Sequence, residues 1–192
     1  TTSPRRQSMV PKQDTQVHIK TNLGDIVLRL YHDRAPRTVD NFLDYVRDGF
    51  YDGTVVHHAE AGLVIAGGCD ASLEFKATRF PILNESNNGL SNRRGTVAMA
   101  RLPESAHSAT SQFFINVKDN PSFDYQGEGD DRCGYCVFGE VVSGMEILDQ
   151  IAQSTTGEQG NFSSVPQPQV VIQAIEDVAY LASQQDGTPL LR

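Results

Sequence analysis

Cysteine is scarce in this chain of 192 residues: Cys69, Cys133 and Cys136 are the only three. An odd number fits no complete disulfide framework and suits a reducing compartment. Basic residues are in deficit, with 16 Lys and Arg against 24 Asp and Glu and a formal net charge of −8. That balance argues against a binder of the phosphate backbone, so no nucleic-acid partner is expected. No apolar run approaches the ~20 residues of a membrane-crossing helix, so no membrane partner is expected. Cys133 and Cys136 have Cys-x-x-Cys spacing, but no second pair completes a site. Neither a metal nor another cofactor is therefore expected. The opening residues lack an apolar stretch after Arg5-Arg6, which leaves a twin-arginine reading unsupported. The expected compartment is the cytoplasm, or the periplasm if a leader has been removed. Regular strand–helix alternation is also missing, which excludes a doubly wound parallel sheet.

What is present is a series of short apolar runs punctuated by glycine. Val17–Ile19 and Asp25–Tyr31 alternate around a Gly24 turn and read as a hairpin. Pro36 opens a helix in which Val39, Phe42, Leu43 and Val46 share one face, and Gly49 follows its end. Runs at 54–66, 96–100, 112–117, 135–142 and 170–175 read as strands, and Gly144–Gln153 as a second helix. Residues 155–168 read as a loop rich in Gly, Ser and Pro. The expected fold is mainly β, a closed antiparallel barrel with two α-helices. Residues 1–16 are expected to form a disordered tail, 17–177 the domain, and 178–192 a C-terminal tail with room for a helical turn or two.

Two strings carry more information. Gly95-Thr96-Val97-Ala98-Met99-Ala100-Arg101 is followed by Ser111-Gln112-Phe113-Phe114-Ile115. Around them lie Ala35-Pro36-x-Thr38-Val39-x-Asn41-Phe42, Asn84-Glu85-x-Asn87-Asn88-Gly89-Leu90 and Val137-Phe138-Gly139-Glu140-Val141-Val142. In this order they resemble the cyclophilin family of peptidyl-prolyl cis-trans isomerases, most of all its bacterial members. The resemblance implies an eight-stranded barrel capped by two helices, with the substrate groove on its outside. It implies proline-containing peptides or unfolded proteins as partners, and a monomer.

An X-Pro bond resists rotation by ~18–20 kcal/mol because its C–N bond has partial double-bond character. Catalysis needs an apolar seat for the proline ring, hydrogen bonds to the flanking backbone, and a donor near the imide nitrogen. The resemblance assigns that donor to an arginine, and His58 stands in its place. Its catalytic set here becomes His58, Gln112 and Phe114. The implied substrate-binding set is Leu63, Val64, Ala66, Met99, Ala100, Arg101, Phe123 and Tyr135. Leu63 replaces a phenylalanine, Val64 a methionine, Ala66 a glutamine, and Ser122 an aromatic residue. The expected activity is isomerisation of X-Pro bonds at a reduced or retuned rate, with weak cyclosporin binding. The alternative is a non-catalytic binder or chaperone of proline-containing segments. The acidic run Glu128–Asp131 reads as a solvated loop, and His57 as structural because neighbouring strand residues face opposite sides.

Overall fold

A computed structural model describes residues 14–186. In chain order the strands are β1 (Thr15–Thr21), β2 (Gly24–Leu30), β3 (Thr54–Val55), β4 (His58–Glu60), β5 (Leu63–Ala66), β6 (Thr96–Met99), β7 (Phe113–Asn116), β8 (Val137–Ser143), β9 (Thr156–Gln159), β10 (Phe162–Pro166) and β11 (Val171–Glu176). The helices are α1 (Pro36–Arg47), α2 (Met145–Ala152) and α3 (Val178–Gln185). Nine strands form one curled antiparallel sheet in the order β3-β11-β1-β2-β8-β6-β7-β5-β4. Its two outermost members, β3 and β4, are consecutive in the chain and separated only by Val56 and His57. The Val56 amide donates to Val170 at 3.0 Å and the His57 amide to Ile65 at 3.2 Å, on opposite ends of the strand order. The expected eight strands become nine because the run at 54–60 is interrupted at this point.

Both expected helices bury one face in a single apolar cluster inside the curl. Phe42 of α1 meets Tyr51, Phe113 and Phe138 at ring separations of 5.3–5.5 Å. Leu148 and Ile151 of α2 enter the same cluster. The first turn of α1 has no side-chain cap of its own. Glu85, from a distant loop, accepts from the amide and hydroxyl of Thr38 at 2.8 Å each, placing a carboxylate at the positive end of the helix.

Two sequence expectations change. β1 starts at Thr15, not Val17, because Thr15 and Gln16 pair with Leu30 and Arg29; the rest of the expected N-terminal tail, 1–13, lies outside the described residues. The segment 155–168 is no loop: β9 and β10 pair around a two-residue Gly160-Asn161 turn, with Gly160 at φ +57°. The C-terminal segment from 178 opens with helix α3, the helical turn or two that the sequence left room for there. Asp177 caps it by accepting from the Tyr180 amide and also pairs with Arg47 at 3.0 Å. Residues 187–192 lie outside the described residues.

Candidate active site on the outer face

Alternation along the strands sorts side chains onto two faces. Val64, Ala66, Val97, Met99, Phe113 and Ile115 belong to the inner cluster. Leu63, Ala98, Phe114 and Val137 form a second, smaller cluster, against which Ile65, Leu90, Ala100, Phe123 and Tyr135 pack. This outer cluster gathers Leu63, Ala100, Phe114, Phe123 and Tyr135 of the expected site. It does not include Val64, Ala66 or Met99, which are 3–4% exposed and point into the core. Matching by motif put both faces of one strand in the same groove, which the two-residue period of a strand does not permit.

Three rings form the heart of the outer cluster. Phe114 meets Phe123 at 5.7 Å and Tyr135 at 5.5 Å, and those two meet each other at 5.2 Å. All three contacts are edge-on, the geometry that aromatic quadrupoles favour. Phe114 is buried beneath the other two, which remain partly exposed. A cleft of about 290 Å³ continues from Tyr135 along Ser122, Asp124, Asp130, Asp131 and Arg132.

Cross-strand register places His58 on the outer face. His58 pairs with Ile65, Ile65 with Phe114, and Phe114 with Ala98. The four lie in one row across β4, β5, β7 and β6, so His58 sits two strand spacings, roughly 10 Å, from Phe114. Its imidazole is 3.7 Å from Glu60. Gln112 lies at the same end of β7, where its carbonyl accepts from the Ala100 amide at 3.0 Å. Gly68 leaves room for the Gln112 side chain, since a Cβ there would meet it at 2.6 Å.

Arg101 does not reach His58's position. Its guanidinium donates to the carbonyls of Gly134, Leu102, Pro103 and Asp130 and stacks 4.9 Å above the Tyr135 ring. It therefore braces the wall of the cleft. His57 is buried between Phe162 at 5.3 Å and Phe75 at 6.3 Å, and its Nδ1 has no partner. Burial, and then the neighbouring His58, push its pKa down to about 4, against a smaller opposing contribution from Gln112, so the ring is neutral near pH 7. Cys133 and Cys136 are free and buried, and burial pushes the Cys136 thiol up to about 12. Sequence reasoning missed Ile65 and Leu90, whose place in the cluster follows from the same alternation, and the polar residues beneath it described below.

Residues 16–177 match the family described as cyclophilin-type peptidyl-prolyl cis-trans isomerase. The chain is 49% identical over 160 residues to peptidyl-prolyl cis-trans isomerase B of Escherichia coli, covering 83% of this chain and 97% of that protein. It is 47% identical over 161 residues to isomerase A of Dickeya dadantii, with 83% of each covered. A crystal structure of a Cryptosporidium parvum cyclophilin-type isomerase, solved in the presence of the dipeptide Ala-Pro, superposes with a TM-score of 0.67 at 23% identity, over 83% of this chain and 96% of that one. With this antiparallel fold and these bacterial relatives, the chain belongs to the cyclophilin-type peptidyl-prolyl cis-trans isomerase family of enzymes.

Proposed function

We propose that the chain isomerises X-Pro bonds in peptides and unfolded proteins, with the proline ring seated on Phe114, Phe123 and Tyr135 and with His58 as the donor to the imide nitrogen. The observation that carries this reading is the row His58–Ile65–Phe114–Ala98, in which the Phe114 ring and the His58 imidazole share one face of the sheet. An extended peptide rising about 3.3 Å per residue spans that separation in three residues. Gln112 and the edge at Ala100 supply polar groups for the flanking backbone.

The rate is reduced or retuned. Arginine presents a rigid fork of donors, whereas imidazole presents one at most on each nitrogen. Arg101 does not stand in for the missing arginine, because its guanidinium is committed to four carbonyls. Cyclosporin-type ligands bind weakly, since Leu63 and Ser122 narrow the apolar contact. The chain acts as a monomer in the cytoplasm, a compartment suited to three free thiols. No helix among the described residues is long and apolar enough to cross a membrane.

The test is an NMR exchange assay on X-Pro peptides with wild type, His58→Ala and His58→Arg. His58→Ala should lose most of the rate enhancement. His58→Arg should gain toward the roughly 100-fold that one well-placed donor is worth. Full activity in His58→Ala would remove His58 from the mechanism. Peptide binding without any rate enhancement in the wild type would make the domain a non-catalytic binder.

A further inference from the structure

The walls of the outer cluster are tied by their backbone carbonyls to one buried side chain. Asn92 is fully buried, in the loop before β6. Its Nδ2 lies 3.2 Å from the Phe123 carbonyl, 3.3 Å from the Tyr135 carbonyl and 3.1 Å from Asp124 Oδ1. Its backbone amide donates to the same carboxylate oxygen at 2.7 Å, and Ser91 donates to the other at 2.5 Å. Its carbonyl accepts from the Asn120 amide at 2.8 Å. On the opposite side, Asn92 Oδ1 accepts from Asn116 Nδ2 at 3.0 Å. Asn116 is also fully buried and lies on β7, two residues beyond Phe114 and on the same face.

One amide thus joins three separate pieces of chain: the strand that carries the pocket floor, the turn that carries Phe123, and the segment that carries Tyr135. The Tyr135 amide donates to the Phe123 carbonyl at 2.8 Å, so the two wall residues are also tied to each other. Phe123 and Tyr135 come from turn and extended segments, not from long paired strands, and nothing in a regular ladder fixes their height above Phe114. A buried amide that donates toward the Phe123, Tyr135 and Asp124 oxygens on one side and accepts from Asn116 on the other can fix it, because without it the Tyr135 carbonyl loses its donor and the two walls lose their tie to β7.

We infer that Asn92 is a positioning residue for the proline seat: it sets the spacing of Phe123 and Tyr135 from Phe114 and so the affinity for the proline ring. This rests on the reading of the outer cluster as the proline seat. The test compares Asn92→Ala and the milder Asn92→Ser, alone and combined with Phe123→Ala. Two readouts are taken: the aromatic NMR shifts of Phe114, Phe123 and Tyr135, and the KM and kcat for an X-Pro peptide.

In the single variants the ring shifts of Phe123 and Tyr135 should move. KM should rise several-fold with kcat changed less than twofold, the signature of lost uniform binding. In the Phe123→Ala background the same substitution should change KM by a clearly smaller factor than in the wild type, the remainder reporting its hold on Tyr135. A generally weakened fold would instead multiply the two losses. Unmoved ring shifts, multiplying KM effects, or failure of both Asn92 variants to fold would overturn the inference. A wild type that neither binds nor isomerises the peptide would defeat the functional reading, while the ring shifts would still decide whether Asn92 holds the walls.

Discussion

The His57 slot should make this protein acid-sensitive by a calculable amount. The imidazole is 4% exposed, and burial pushes its pKa from 6.5 to about 4. In the unfolded chain the ring takes a proton near its ordinary value; in the folded protein it resists. Stability tied to the neutral ring is therefore complete above pH 6.5, falls as pH drops from 6.5 to 4, and levels off below that. At 1.36 kcal/mol per pH unit, the loss between pH 7 and pH 4 is about 3 kcal/mol. Other carboxylates and histidines also titrate in this window, so the effect must be read as a difference. His57→Phe keeps a ring between Phe75 and Phe162, removes the ionisable group, and removes the orphaned Nδ1. Urea unfolding of both proteins at pH 7, 6, 5 and 4 gives two stability curves. The wild-type curve should fall about 3 kcal/mol further than the variant curve. Curves parallel within 0.5 kcal/mol would refute the claim that burial holds this ring neutral.

Three further outcomes are expected. Asp177→Ala removes both a buried partner of Arg47 and the cap of α3; it should cost about 2–3 kcal/mol in urea unfolding, and a loss under 0.5 kcal/mol would show that neither contact holds α3 in place. Gly134 sits at φ +69°, where a Cβ would lie 2.5 Å from the Phe123 carbonyl; Gly134→Ala should lower both the melting temperature and peptide affinity, and native values for both would show that the turn can yield. Leu63→Phe extends the apolar wall beside Phe114 and should tighten a cyclosporin-type ligand at least several-fold by calorimetry, with no change arguing that position 63 does not govern that contact.

Much of the fold is written in periodicity. Val39, Phe42, Leu43 and Val46 repeat as a buried helical face should, and α1 forms over them. The alternating Ile26, Leu28 and Leu30 all point inward from β2. The β9–β10 hairpin was harder to see because Thr156-Gly157-Glu158-Gln159 has no apolar alternation. Its one local signal was the Gly160-Asn161 pair, a two-residue hairpin turn; the rest of its support comes from packing beside β4. The aromatic members of the outer cluster are legible from the motifs, but Val64, Ala66 and Met99 fall on the other face of the sheet. The Asn92–Asn116 link was not legible at all. An asparagine in a polar loop reads as solvated, and only the assembled turn at Phe123 and Asp124 turns it into an interior residue.

The division of β5, β6 and β7 between two clusters has a practical meaning for anyone altering this enzyme. Residues 63, 65, 98 and 114 can be varied as one library and 64, 66, 97, 113 and 115 as another, since the first group packs in the outer cluster proposed to meet the peptide and the second fills the inner one. The backbone is common property, but the side chains answer to different tenants. A lineage could therefore exchange one peptide preference for another, residue by residue, while the sheet beneath kept its register.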